Sequence, residues 1–165
     1  MPRLSQTAAM TARLFPSADA TSAYAARLAP RLMAGDVILL QGGLGAGKTH
    51  FARALIQARL AAAGLAEDVP SPTFTLVQTY DDGSVELWHA DLYRLTDLDE
   101  VAELGLEEAF ETGICLVEWP DRLEGALPSG ALTLHLEMTE TPGERRMTLQ
   151  YDDPRWADIM ALPDD

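Results

Sequence analysis

Val37-Ile38-Leu39-Leu40-Gln41-Gly42-Gly43-Leu44-Gly45-Ala46-Gly47-Lys48-Thr49-His50 joins an apolar run to a glycine-rich loop that closes on Lys and Thr, and helix-forming residues follow to Ala63. Four consecutive apolar residues of this kind read as a strand buried on both faces. Glycines in the next segment let backbone N–H groups turn inward around a polyphosphate. Lys48 can then reach the β- and γ-phosphates, and the Thr49 hydroxyl can take a place on Mg²⁺. A helix starting at Lys48 and stopping at Gly64 points its positive end at the same anion. A glycine turn without chemistry would not require Lys and then Thr directly after its last glycine.

Outward from this unit, the pattern predicts an α/β domain. Residues 11–15 read as a short strand ending at Pro16. Ser17 or Thr21 can cap a helix to about Met33, with Tyr24, Leu28 and Leu32 on one face and Pro30 kinking or shortening it. After the loop-helix unit, Ser71-Pro72 makes a rigid turn into an alternating strand to Tyr80. Asp81-Asp82-Gly83-Ser84 turns the chain, and residues 85–89 return as the second strand of a hairpin. Thr96-Asp97-Leu98-Asp99 resembles a capping box for a helix to about Phe110. Ile114-Cys115-Leu116-Val117 reads as a central buried strand, and residues 132–138 and 147–151 as alternating strands that close the sheet. Residues 1–10 and 152–165 are expected to be peripheral.

In an open α/β sheet, ligands lie beyond the carboxyl ends of the strands, so Glu118, leaving the 114–117 strand, sits beside the loop if the two strands are neighbours. There it can serve as a Mg²⁺ ligand, directly or through water, or orient an attacking water. Asp91, in Asp91-Leu92-Tyr93-Arg94, can engage the metal's water shell, activate water, or merely pair with Arg94 at the surface. Thr73, after Pro72, is placed like a switch threonine that folds over a γ-phosphate. His50 either contacts nucleotide or decorates the helix surface. Arg145-Arg146 opens the last strand and reaches phosphate only if that strand end faces the loop. His50, His89 and His135 have no metal-ligand spacing among them, and Trp119 reads more readily as packing than as a base platform.

Bulk properties narrow the partners. The 165 residues are 47% apolar, enough for one domain with its own core. Twelve basic against 26 acidic residues leave a formal charge of −14, which opposes non-specific contact with DNA or RNA backbones. No apolar stretch approaches the roughly 20 residues that span a bilayer. The single Cys115, in an apolar run, is expected to be a buried inert thiol in a reducing, cytoplasmic setting.

Gly-x-Leu-Gly-Ala-Gly-Lys-Thr at 42–49, Ser-Pro-Thr-Phe-Thr-Leu-Val at 71–77, Asp-Leu-Tyr-Arg-Leu at 91–95 and Leu-Val-Glu-Trp-Pro at 116–120 occur in this order within a short chain. That set resembles the bacterial TsaE family, the ATPases of tRNA threonylcarbamoyladenosine (t6A) biosynthesis. The resemblance covers residues 11–151. It implies a single-domain P-loop NTPase-like sheet with a mostly parallel core, an inserted β-hairpin, antiparallel C-terminal strands and flanking helices. It also implies ATP and Mg²⁺ as cofactors, held by Gly42, Gly43, Leu44, Gly45, Ala46, Gly47, Lys48 and Thr49. His50, Thr73, residues 16–19 and an arginine near the last strands, with Arg146 the better candidate, would approach the nucleotide. Catalytic or metal-linked roles fall to Lys48, Asp91 and Glu118, and a switch role to Ser71 and Thr73. The implied partner is the TsaB–TsaD pair, which modifies adenosine 37 and holds the tRNA, so that this chain meets tRNA only indirectly. One departure stands out: the family commonly carries an acidic residue where this chain has Gly43. A small-molecule kinase and a nucleotide-gated binding module are the rival readings. The kinase reading lacks an arginine-rich lid, and the absence of an Asn-Lys-x-Asp motif disfavours GTP.

Overall fold

The computed structural model describes residues 9–65, 69–70 and 76–160. Seven strands form one sheet: β1 (Ala9–Phe15), β2 (Val37–Gln41), β3 (Val77–Asp81), β4 (Glu86–Asp91), β5 (Ile114–Glu118), β6 (Leu132–Met138) and β7 (Arg145–Tyr151). Their order is β1-β7-β6-β2-β5-β4-β3. The central strands β6, β2, β5 and β4 run parallel, whereas β3, β7 and β1 join antiparallel at the two sides. This is the mixed α/β sheet that the pattern predicted, hairpin included. Each βα unit needs a crossover, and a sheet so covered buries both faces of its middle strands, which explains the unbroken apolar runs of β2 and β5.

Alternation along those strands divides the core in two. Ile38, Leu40, Leu116, Leu134 and Met147 pack with α1 (Ala18–Leu28) and α2 (Lys48–Ala62) through Tyr24, Leu28, Phe51 and Leu55. Val37, Leu39, Cys115 and Val117 pack on the opposite face with Val101 of α3 (Asp99–Leu104) and Leu106 and Phe110 of α4 (Leu106–Thr112). The Cys115 thiol is buried, and desolvation, helped by the negative charge of Glu86, pushes its pKa to about 12, as an inert core cysteine requires.

Three local expectations need correction. Ser17 does cap α1, its hydroxyl accepting from Ala20 N at 3.1 Å, but the α-helix stops at Leu28 and residues 29–31 tighten into a 3-10 turn. Pro30 has no N–H for the next helical bond. The helix expected from Thr96 to Phe110 is two helices, because Gly105 adopts φ +81° and redirects the chain between them. The acidic tail is not peripheral as far as it is described: α5 (Arg155–Met160) returns to the body, burying Trp156 and Ile159 in the α1/α2 core. Arg155 pairs with Asp36, and Trp156 Nε1 donates to Gly130 O at 2.7 Å. Acidic composition concealed an apolar pair spaced three apart on one helical face.

Arg59 of α2 ties that helix to the β3–β4 turn. Its Nε donates to Asp82 Oδ2 at 2.9 Å, and its Nη1 to Ala29 O and Leu32 O. Burial alone would raise the Asp82 pKa, but hydrogen bonds from the Ser84 and Val85 backbones, Arg59 and the Ser84 hydroxyl outweigh it and hold the carboxyl well below its usual value. A depressed carboxylate pKa contributes stability above the unfolded value of 3.8 and loses it as pH falls below that value. Asp82→Asn should therefore lower stability at neutral pH by about 1–2 kcal/mol and flatten the loss of Tm that begins at about pH 5 and continues as pH falls through the depressed folded-state pKa, as thermal denaturation would measure.

Candidate functional site

The loop between β2 and α2 is shaped by its glycines. Gly42, Gly45 and Gly47 take φ of +146°, +79° and +109°. Gly47 is the N-cap of α2 and offers no side chain to cap it, so the first turn of the helix opens toward a cavity. That cavity, about 400 Å³, is bounded by the loop, the start of α1 at Ala18 and Thr21, the strand ends at Asp91 and Glu118, Trp119, Gly143 and Arg145. A space of this size, concave and beside an uncapped helix N-terminus, suits an anionic small molecule.

Topology delivers the acidic groups. β2 and β5 are parallel neighbours with Leu40 in register with Glu118, and β4 follows with Asp91 in register with Glu118. Loop, Glu118 and Asp91 thus leave the same edge of the sheet. Glu118, Asp91 and Lys48 are only 2%, 6% and 5% exposed, so three charged side chains share a largely desolvated space. Lys48 Nζ donates to Gly42 O at 2.7 Å and Gly43 O at 2.8 Å, and lies 4.2 Å from the centre of the Trp119 ring. Burial lowers its pKa, with Glu118 and Asp91 offsetting part of that effect. Thr49 Oγ1 donates to Glu118 Oε1 at 2.7 Å, and His89 Nε2 meets the other oxygen, Oε2, at 2.6 Å. Asp91 Oδ1 accepts from Tyr93 N at 3.1 Å, which fixes its carboxylate over the turn that leaves β4. Trp119 sits at φ +58°, an unusual backbone for a bulky residue, and its ring packs against Tyr93 with centroids 4.8 Å apart and planes tilted by 46°.

Thr49 and Glu118 present hard oxygen donors close together, which fits Mg²⁺. Among the described residues no group of three His, Cys, Asp or Glu side chains could hold a metal alone. A cation here would take its remaining oxygens from water and phosphate, the usual habit of Mg²⁺ and a poor match to a structural zinc site.

Residues 42–50, Asp91 and Glu118 are brought together. His50 reaches sideways, its Nε2 lying 2.6 Å from Ser22 Oγ and 3.1 Å from Ala18 O, so it joins the starts of α1 and α2 at the cavity rim. Thr73 and Ser71 lie outside the described residues. Arg146 must be replaced by its neighbour. Arg145 borders the cavity, with Nε donating to Ala46 O at 2.9 Å and Nη2 to Gly45 O at 3.3 Å. Arg146 is exposed on the other face, in register with Leu14 and Glu137. Strand alternation carries the signal: Met147 and Leu149 are buried toward α1 and α2, so Arg145 shares their face and Arg146 does not. His89 and Ser22 had no sequence signal of their own.

A family model described as threonylcarbamoyl adenosine biosynthesis protein TsaE matches residues 15–147. The chain belongs to the TsaE family. Proteins named tRNA threonylcarbamoyladenosine biosynthesis protein TsaE are its relatives. That of Treponema pallidum is 36% identical over 81% of this chain and 95% of its own length. That of Synechocystis is 45% identical over 69% and 72% of the two chains, and that of Bacillus subtilis 41% over 70% of each. The crystal structure of Bacillus subtilis YdiB superposes with a TM-score of 0.76 at 30% identity, covering 94% of this chain and 95% of that one. The TsaE match spans the loop, both acidic strand ends and Arg145, so the residues that build the cavity all fall within it.

Proposed function

We propose that this protein binds ATP with Mg²⁺ in the loop cavity, hydrolyses it slowly, and couples that cycle to t6A formation by docking on the TsaB–TsaD pair in the cytoplasm. The observation that carries the reading is the convergence of Lys48, Thr49, Asp91 and Glu118 on one desolvated cavity beside an uncapped helix. The loop backbone and Lys48 hold the phosphates; Thr49 and Glu118 hold the metal side of the chain, directly or through water. When bound, Mg²⁺ supplies neutralisation of the β- and γ-oxygens. Asp91 positions the attacking water; as the water oxygen bonds to the γ-phosphorus its proton passes to a γ-phosphate oxygen, the β–γ bridging P–O bond breaks, and the electron pair leaves with ADP. Slow turnover in isolation follows from Arg145, whose guanidinium is engaged by the loop carbonyls of Gly45 and Ala46. In the coupled cycle, ATP favours the docked form and hydrolysis releases it, so the transferase is reset for another tRNA; the nucleotide can shift docking only by its differential contacts in the two states. A surface with a net charge of −14 leaves the tRNA to the partners.

Reconstituted t6A formation from tRNA, threonylcarbamoyl-adenylate, TsaB and TsaD tests this directly. Modified tRNA per transferase should pass one only when the unaltered chain and ATP are present. Glu118→Gln should keep the metal-free grip of the loop on nucleotide, lose about 100-fold in hydrolysis and return the yield to one. Undiminished multiple turnover with a hydrolysis-dead variant would leave a nucleotide-gated binding module, and no effect of the chain at all would remove the t6A role.

A further inference from the structure

His89 is fully buried on β4, and among the described residues the one hydrogen-bonding partner of its imidazole is Glu118. Among those residues its Nδ1 is enclosed without a hydrogen-bond partner. A leucine or valine would suit a wholly buried position between Leu87 and Asp91 on a parallel strand beside Leu116 far better than a half-satisfied imidazole. The histidine is therefore explained by what its other nitrogen does. Glu118 Oε2 meets His89 Nε2 at 2.6 Å while Oε1 accepts from Thr49 Oγ1 at 2.7 Å, so the carboxylate is gripped at both oxygens and its plane is set.

We propose that His89 is a positioning residue, present as the Nε2–H tautomer, that donates to Glu118 Oε2 and thereby commits Oε1 to the Thr49 side, where the cation of a magnesium nucleotide is held. This rests on the magnesium-nucleotide reading above. Partners of this outer kind commonly change metal affinity or activity 10–100-fold when removed. They act by orienting a ligand and tuning its basicity, so the loss should appear in the magnesium dependence and not in the grip of the loop on phosphate.

The experiment compares the whole chain with His89→Leu and His89→Gln, the latter retaining an amide donor near the Nε2 position. Binding of a non-hydrolysable ATP analogue is measured by calorimetry in EDTA and across a Mg²⁺ titration. His89→Leu should bind the analogue normally in EDTA but lose about 10–100-fold of the Mg²⁺-dependent tightening, and His89→Gln should recover most of it. In the unaltered protein, ¹⁵N spectra of the imidazole should show a protonated Nε2 and a bare Nδ1. Unchanged Mg²⁺ dependence in His89→Leu, no recovery in His89→Gln, or a protonated Nδ1 with a bare Nε2 would overturn the role of His89 alone. Should His89→Leu fail to fold, His89→Gln and the spectra decide. Absence of Mg²⁺-dependent analogue binding by the unaltered protein would instead overturn the magnesium-nucleotide reading, and the positioning role with it.

Discussion

Lys48→Ala is expected to weaken binding of a non-hydrolysable ATP analogue about 100-fold, or about 2.7 kcal/mol, while leaving the protein folded. The ammonium is the cavity's compensation for Glu118 and Asp91, both nearly buried and both acting on its pKa. Without it, a polyphosphate would enter a space holding two carboxylates and no lysine. Its present partners, Gly42 O and Gly43 O, are neutral carbonyls, and desolvation already disfavours the charged amine. Phosphate oxygens would supply the counter-charge that burial withholds, so the lysine has more to gain from the ligand than from the loop. Arginine should not rescue the variant, because a longer, planar guanidinium does not reproduce the compact ammonium that donates to both Gly42 O and Gly43 O. Calorimetry decides between roles: an affinity within threefold of the parent would remove Lys48 from the phosphate site, whereas a large loss with an unchanged Tm would place it there.

What could be read from the chain is what is local. The apolar run of β2, the glycine spacing and the helix that follows are contiguous, so backbone preference and burial pattern point the same way. The hairpin was equally clear from its turn, where Asp82 Oδ1 accepts from Ser84 N and Val85 N. Glu118 and Asp91 were found through a topological rule that places ligands beyond parallel strand ends, and it applied because β2, β5 and β4 are consecutive in the sheet. Arg146 was preferred to Arg145 within the pair because the two are chemically identical; only the face on which Met147 lies tells them apart. Gly105 was missed because an apolar period of helical spacing continues through it, from Val101 to Leu106 and Ala109, although the backbone turns. His89 depends on a contact 29 residues away in sequence, made across two strands, and no local pattern encodes such a meeting.

Gly42→Ala should destabilise the protein by about 3 kcal/mol or more and abolish measurable nucleotide binding, whereas Gly43→Ala should change stability by no more than about 0.5 kcal/mol. The two glycines are adjacent, yet the chain makes opposite demands at them. Gly42 has φ +146°, a conformation that L side chains rarely adopt, and a Cβ there would lie 2.5 Å from Leu136 O and 3.2 Å from Ala46 Cβ. Leu136 belongs to β6, where it is in register with Met147 of β7 one step past the last β2 pair, Gln41 with His135, and a backbone so anchored yields less readily than the loop; the loop must move, carrying the carbonyl that Lys48 holds. At Gly43 no atom of the described residues lies within 4 Å of the added carbon and φ is not positive, so among those residues a side chain would project into open space at the loop's mouth. An acidic residue at 43, common in the TsaE family by the resemblance noted above, is therefore sterically compatible with this loop, and glycine is not required there. Thermal denaturation and analogue binding on Gly42→Ala, Gly43→Ala and Gly43→Glu separate the contributions. A collapse confined to Gly42→Ala would trace the loop's shape to its contact with β6, and a comparable collapse at Gly43 would contradict that account.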